Sequence, residues 1–275
     1  MIIDSHHHFW NYTDEDYGWI DNSMSRIRRN FLPSDLKKTI GDAGVDGVIS
    51  VQARQSLEET DWLLKLSEEN DFIMGVTGWL PLVDDDIESI AEQYASHKKL
   101  KGVRHVIHDE EDDNFILRKD FNRGVNKLIK HNLIYEILIF EKHLPQTISF
   151  VDKHPEQIFV LDHIGKPRIE ENILSPWREN IAELAKRENV LCKMSGMVTE
   201  ADFKQWTEAQ LQPYAEVILD CFGAERVMFG SDWPVCLVAS EYDQWLNTVN
   251  SFIKQLSKNE QKQILGVNAR RVYEL

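Results

Sequence analysis

The chain has 275 residues, of which 42% are hydrophobic and 28% charged, and its formal net charge at pH 7 is −15. Such a chain is long enough to bury a sizeable core. Its acidic balance argues against nucleic acid and anionic membranes as partners, and no apolar run is long enough to span a membrane. Three widely spaced cysteines predict free thiols in a reducing compartment, so we expect a cytoplasmic protein.

Short apolar runs alternate with longer amphipathic runs almost to the C-terminus. The short runs predict eight buried strands, the first from residue 2 and the others at 45–52, 72–79, 100–106, 133–140, 158–165, 190–197 and 226–234. Helical spacing of apolar residues predicts helices at 56–70, 85–99, 120–132, 176–189, 210–223 and 242–256. A further helix is expected to close the chain.

The regular alternation of strands and helices predicts a parallel α/β sheet with strands buried on both faces. Eight strand–helix units in a chain of this length favour a closed (β/α)₈ barrel, the TIM-barrel fold, over an open doubly wound sheet. No glycine-rich phosphate loop follows the first strand, which removes the commonest sign of the open sheet. We therefore predict a single TIM-barrel domain over residues 1–275.

Three consecutive histidines stand near the N-terminus, in the stretch "MIIDSHHHFW". Ile2 and Ile3 begin an apolar run, Asp4 precedes the histidines and Phe9 and Trp10 follow them, which is unlike the flexible surroundings of a purification tag. In a strand, alternate side chains share a face, so His6 and His8 point one way and His7 the other. Two imidazoles on one face can bind a metal or polarise a substrate, whereas the plain alternative is a strand that ends in polar residues.

The ends of the predicted strands carry most of the other polar candidates, and in a TIM barrel the carboxyl ends of the strands hold the active site. Asp232 lies in an apolar strand, where a buried carboxylate needs a cation, a histidine or water beside it. Arg104 and His105 alternate across their strand, so we expect only one of them to face the mouth. Ser195 is either a hydrogen-bonding wall residue or a nucleophile, although no Gly-x-Ser-x-Gly turn surrounds it.

The remaining histidines are predicted to lie on helix surfaces, away from the barrel mouth. These are His97, His131, His143 and His154. By contrast, His163 follows Asp162 at the end of the sixth predicted strand, where it either serves the site or bridges two layers of the core.

Several motifs resemble the amidohydrolase superfamily, of the amidohydrolase 2 type: "DSHHHFW", "KGVRHVIHDEEDDNFILR", "FVLDHIGKP", "CKMSGMVTEADF", "RVMFGSDWPVC" and the ending "NARRVYEL". The His-x-His followed much later by "GSDWP" is typical of the superfamily. The stretches "VLDHIGKP" and "CKMSG" resemble its sugar-lactonase branch, which includes fuconolactonases, rhamnonolactonases and pyrone dicarboxylate lactonases. The resemblance implies a distorted TIM barrel that hydrolyses a lactone.

The resemblance also implies metal ligands, of which this sequence supplies His6, His8, His163 and Asp232. The fifth strand has Glu136 and no histidine, and the fourth strand carries lysines only at its beginning, which argues against a binuclear centre. We expect a site that requires no cofactor. The alternative is a single divalent metal ion, zinc, on His6, His8 and Asp232.

Lactone hydrolysis suits these residues, because a lactone is an activated ester that water can open with the help of a base and of donors to the oxyanion. In this chemistry Asp232 is the general base, and His6, His8 and His163 polarise the lactone carbonyl. The candidate substrate-binding residues are Arg104, His105, Trp10, Trp79 and Ser195.

Two other functions stay open at this point. One is a metal-dependent decarboxylase of the same superfamily, which would need a histidine on the fifth strand, and the other is a sugar-binding barrel without turnover. The expected partner is a small-molecule sugar lactone, with no nucleic acid and no membrane, and a homo-oligomer stays open. We expect the choice of sugar to depend on the loops at 9–32, 107–118 and 197–212.

Overall fold

A barrel of eight parallel strands forms the centre of the computed structural model, which describes residues 1–275. The strands follow one another around the barrel in chain order, and each pairs in parallel with the next. They are β1 (Ile3–His7), β2 (Gly47–Val51), β3 (Ile73–Gly78), β4 (Leu100–Val106), β5 (Ile134–Leu138), β6 (Phe159–Leu161), β7 (Val190–Met194) and β8 (Val227–Phe229). The predicted (β/α)₈ fold is confirmed.

The backbone hydrogen bonds that join β8 to β1 come from residues beyond the C-terminal end of β8. The barrel is therefore distorted where these two strands meet, at a position that we call the seam. The backbone N–H of His8 donates to the carbonyl of Trp233 at 2.7 Å, and that of Asp232 donates to the carbonyl of His6 at 2.8 Å. The residues that close the barrel are therefore the ones that the sequence predicts to form the site.

A buried carboxylate strengthens the same seam. One oxygen of Asp4 accepts hydrogen bonds from the backbone N–H groups of Ser231 at 2.8 Å and His6 at 3.1 Å. The other oxygen accepts the hydroxyl of Tyr242 at 3.0 Å. Burial raises the pKa of Asp4 to about 6, although these hydrogen bonds oppose that shift.

Helices surround the barrel between the strands. They are α1 (Pro33–Ala43), α2 (Leu57–Glu69), α3 (Ile87–Ala95), α4 (Lys119–Ile129), α5 (Leu144–Val151), α6 (Trp177–Leu184), α7 (Glu208–Phe222), α8 (Tyr242–Phe252), α9 (Lys258–Lys262) and α10 (Asn268–Val272). The helical spacing in the sequence predicts neither α1 nor α5. None of the helices combines the length and the hydropathy that crossing a bilayer requires.

The core has two parts on either side of the strands. The larger cluster of 64 buried residues packs the outer faces of the strands against the helices. A smaller cluster of 8 residues fills the bottom of the barrel, where Ala269 of α10 and Tyr273 just after it close the barrel: Ile3, Ile49, Ile134, Val160, Leu191, Met228, Ala269 and Tyr273. We call this smaller cluster the bottom layer. The inside of the barrel above it is polar.

Candidate active site

The strand period places the polar groups in layers above the bottom layer. Glu136, Asp162 and Lys193 each stand two residues beyond a member of the bottom layer, so they point into the barrel as well. Ser195 stands two residues further still, and Asp232 follows the end of β8. All five residues are buried. The site therefore continues the inward-facing rows of the strands.

A cavity of about 260 Å³ opens at the carboxyl ends of the strands. Five residues predicted for the site line it: His8, Trp10, Arg104, His163 and Asp232. His6 lies beside them with a fully buried side chain. The prediction that the histidines at strand ends gather at one mouth is confirmed for His6, His8 and His163.

The Asp232 carboxylate faces three imidazoles. Its Oδ1 lies 3.4 Å from Nε2 of His8, 3.8 Å from Nε2 of His6 and 4.0 Å from Nε2 of His163. The Nε2 atoms of His6 and His8 are themselves 3.2 Å apart. Four groups that carry protons or lone pairs thus meet at one point beside the cavity.

Hydrogen bonds on the far side of two rings decide which nitrogen faces this point. Nδ1 of His8 lies 2.8 Å from the carbonyl oxygen of Val51, which can only accept, so a neutral His8 carries its proton on Nδ1 and presents a lone pair on Nε2. Nδ1 of His163 lies 3.0 Å from the hydroxyl of Ser195, which can donate to it and leave the proton on Nε2.

Two cations flank His6. Nη1 of Arg104 lies 3.3 Å from its Nε2, and Nζ of Lys193 lies 3.2 Å from its Nδ1. Burial lowers the pKa of His6 well below its ordinary value, and the charge of Lys193 lowers it further. Burial likewise lowers the pKa of His163. Both rings are therefore neutral at physiological pH.

Buried ion pairs lie beneath the imidazoles. Nζ of Lys193 lies 2.5 Å from Oε2 of Glu136 and 3.1 Å from Oδ1 of Asp162. The other carboxylate oxygen of Asp162 accepts a hydrogen bond from Nη1 of Arg104 at 3.0 Å. Burial alone would raise the pKa of Asp162, but Lys193 and Arg104 together lower it. The carboxylate of Asp232 differs from those of Glu136 and Asp162. Its close partners are imidazoles, and no lysine or arginine is among them.

The backbone is unusual at two of the four catalytic candidates. His163 has a φ of 53° and Asp232 a φ of 58°, in the left-handed region that side chains other than glycine rarely adopt. Gly196 leaves room for the ring of His163, because a Cβ there would stand 2.5 Å from its Nδ1. The predicted sixth strand accordingly ends at Leu161 and not at 165, since left-handed residues cannot continue it.

The donor set fits one divalent metal ion. Nε2 of His6, Nε2 of His8 and Oδ1 of Asp232 are mutually 3.2 to 3.8 Å apart, as expected for ligands that share an ion at about 2.0–2.2 Å. The carbonyl of Val51 orients His8 in the manner usual for metal-bound histidines. These three residues could hold zinc.

Three of the predicted substrate-binding residues do not line the cavity. His105 stacks on Phe115, bonds Glu110 through Nε2 at 2.6 Å and accepts the indole N–H of Trp79 at 3.3 Å. Ser195 contacts the cavity only through His163. Of the alternating pair on β4, it is Arg104 that faces the cavity, because its guanidinium turns inward to Asp162.

Two of the four histidines predicted to lie on helix surfaces are buried instead, so the prediction is wrong for them. His143 and His154 are buried, and their ring nitrogens have side-chain partners: Asp113 for His143, and Asn122 with Asn126 for His154. Amphipathic spacing did not reveal them, because each is satisfied by residues from other segments.

Two pairs of charged residues that the structure contains are not among the predictions from the sequence. Lys193 and Glu136 are an internal pair, and a lysine inside the apolar run "VLCKMSGM" was a usable signal for it. Lys166 and Glu200 line the cavity, and Nζ of Lys166 lies 2.6 Å from Oε1 of Glu200. No local pattern predicts this contact, because the two residues follow different strands.

Comparisons with known proteins find relatives that match the whole chain. A family model described as amidohydrolase matches residues 3–275. An L-fucono-1,5-lactonase from Burkholderia multivorans is 39% identical over 287 residues, covering 100% of this chain and 96% of that protein. An L-fucono-1,5-lactonase from Burkholderia ambifaria is 30% identical over 284 residues, with coverages of 99% and 95%. The crystal structure of a Burkholderia multivorans amidohydrolase with bound Zn is 38% identical, with a TM-score of 0.96 and coverages of 100% and 99%.

Proposed function

Because the chain belongs to the amidohydrolase family, we propose that it opens a sugar lactone to the aldonate, as one hydrolase domain over residues 1–275. A relative that covers the whole chain carries the name L-fucono-1,5-lactonase, which makes a 1,5-lactone of a 6-deoxy sugar the first candidate substrate. The observation that carries the proposal is the Asp232 carboxylate, which faces three imidazoles at the cavity and has no cation as partner.

Asp232 is the general base of this proposal. A water molecule between its Oδ1 and the lactone carbonyl would give its proton to the carboxylate while its oxygen attacks the carbonyl carbon. When the ring C–O bond breaks, the same proton can pass to the leaving alkoxide, which becomes a hydroxyl of the aldonate. The carboxylate then returns to its starting state.

The histidines take different roles because their outer hydrogen bonds differ. His163, with Ser195 donating to its Nδ1, can donate from Nε2 to the oxyanion that develops on the carbonyl. His8 presents a lone pair on Nε2, so it accepts from the attacking water and orients it beside Asp232. His6 is buried beneath both and positions them. Arg104 supplies positive charge close to the oxyanion.

We propose that the reaction requires no metal. An ion bound to His6, His8 and Asp232 would supply Lewis-acid polarisation of the carbonyl and a lower pKa for water. The guanidinium of Arg104, however, already places a positive charge 3.3 Å from Nε2 of His6, where it would repel a second cation. A lactone also needs less activation than an amide.

A panel of substrates with and without chelator tests this function. We expect proton release, followed with a pH indicator, from aldono-1,5-lactones, and the same rate after chelation. Pyrone dicarboxylate should be a poor substrate, since Arg104 is already engaged by Asp162 and by the carbonyl of Gln52. Activity that chelation removes and zinc restores would contradict the metal-free reaction. Carbon dioxide release from carboxylated substrates, or binding without turnover, would contradict lactone hydrolysis.

The variant His163→Asn should lower kcat by about 10²–10³-fold, because one of several donors to the oxyanion is lost. The ring does not hold the substrate's ground state in this proposal, so KM should change much less. Steady-state kinetics on the best lactone measures both. His97→Asn, at an exposed position, is the matched control and should behave as the wild type. An unchanged kcat in His163→Asn would remove His163 from the reaction.

A further inference from the structure

Polar and apolar residues both line the mouth of the barrel. Its polar lining residues include Asp109, Lys166 and Glu200, and its apolar ones include Trp10, Met24 and Val235. These three polar residues follow β4, β6 and β7, and these three apolar residues follow β1 and β8, while Val106 of β4 and Leu138 of β5 are further apolar lining residues. Because the strands surround the barrel in chain order, the segment after β4 lies across the mouth from the segment after β8, whereas the segment after β7 lies next to it.

Lys166 and Glu200 form an ion pair in the lining of the mouth. Nζ of Lys166 lies 2.6 Å from Oε1 of Glu200, and their side chains are 18% and 17% exposed. Both residues line the cavity next to His163. Lys166 belongs to the same left-handed turn as His163, with a φ of 47°, so one backbone feature delivers both side chains to the cavity.

This pair has hydrogen-bonding capacity beyond its own contact. The bond between the two residues uses one ammonium proton of Lys166 and one carboxylate oxygen of Glu200. An ammonium has three protons to donate, and a carboxylate has a second oxygen that accepts. Together the two residues offer a donor and an acceptor side by side, which is the arrangement that two adjacent hydroxyls on a sugar ring can match.

We propose that Lys166 and Glu200 are the specificity-determining residues for the ring hydroxyls of the lactone. This inference rests on the proposed function and deepens it. Lys166 donates to one ring hydroxyl, Glu200 accepts from its neighbour, and apolar lining residues of the mouth contact the ring's alkyl substituent. The pair thereby orients the ring so that its carbonyl carbon lies between His163 and Asp232.

The test compares two six-membered lactones that differ in hydroxyl groups. The measured quantity is the ratio of kcat/KM for L-fucono-1,5-lactone to kcat/KM for δ-valerolactone, which has the same ring without hydroxyls. In Lys166→Met and in Glu200→Met this ratio should fall by about 10–100-fold, as expected for losing a hydrogen bond to a charged group. Either variant alone suffices if the other does not fold.

The control is an ion pair of similar length on the surface. Lys127 and Glu88 lie 2.8 Å apart and are more exposed, so Lys127→Met should leave the ratio at its wild-type value. If the Lys166 and Glu200 variants lose activity equally toward both lactones, the pair is only structural and the inference is overturned, while the proposed function stands.

A binding measurement distinguishes a failure of the proposed function from a failure of this inference. If the wild type hydrolyses no lactone, the proposed function fails, and calorimetry with L-fucono-1,5-lactone then decides the inference by itself. Binding that weakens by about 10-fold or more in Lys166→Met supports the hydroxyl site. Equal affinity in wild type and variant, or no binding to either, overturns it.

Discussion

Asp232→Asn should abolish turnover, lowering kcat by about 10⁴-fold, at the upper end of what a general base contributes. Asparagine keeps the shape of the side chain but cannot take a proton at neutral pH. It also tolerates the left-handed backbone at this position, where φ is 58°, better than most residues do. The barrel should therefore stay folded and still bind substrate, so that the loss appears in kcat and not in KM.

The measurements are steady-state kinetics, circular dichroism and the metal content of wild type and variant. A metal-free reaction predicts that metal content stays the same in Asp232→Asn, whereas a zinc site would lose bound zinc together with activity. Asp220→Asn, at an exposed position on α7, is the matched control. If Asp232→Asn keeps most of its activity, the proton is handled elsewhere, and His8 with its free Nε2 becomes the candidate base.

Lys193→Met should lower the free energy of unfolding by about 3–5 kcal/mol, the usual cost of removing one partner of a buried ion pair. The ammonium of Lys193 is fully buried and lies between Glu136 and Asp162. Asp162 keeps Arg104 as a partner in the variant. Glu136 keeps only the hydroxyls of Thr77 and Tyr273. A buried carboxylate is left without a cation.

The destabilisation should depend on pH in a defined direction. Burial already raises the pKa of Glu136, and Lys193 opposes that shift, so the variant raises the pKa further. The folded state then holds a proton that the unfolded state has released, and stability falls as pH rises through the folded-state pKa. The loss should be larger at pH 8 than at pH 5.

Urea unfolding at the two pH values measures this effect. The control is Lys186→Met, which removes an exposed lysine whose Nζ lies 2.5 Å from Oε2 of Glu183. This variant should change the free energy of unfolding by less than about 1 kcal/mol. A Lys193→Met variant as stable as the wild type at pH 8 would mean that Glu136 is relieved in another way, for example by water entering the barrel.

The sequence alone determined the barrel and the centre of its site. Apolar runs of strand length alternating with amphipathic helices can be read locally, and eight such units leave few alternatives to a closed parallel sheet. His6, His8, His163 and Asp232 could be placed at one mouth for the same reason, because the carboxyl ends of parallel strands all lie on one side.

Only the tertiary structure decided what each of these groups faces. The proton on His8 depends on the carbonyl of Val51, which comes from another strand. Lys166 meets Glu200 only because a left-handed turn after β6 bends toward the segment after β7. Hydrogen bonds act over about 3 Å, whereas these partners lie dozens of residues apart in the chain. Their meeting depends on how the barrel closes, and no local pattern of residues contains that information.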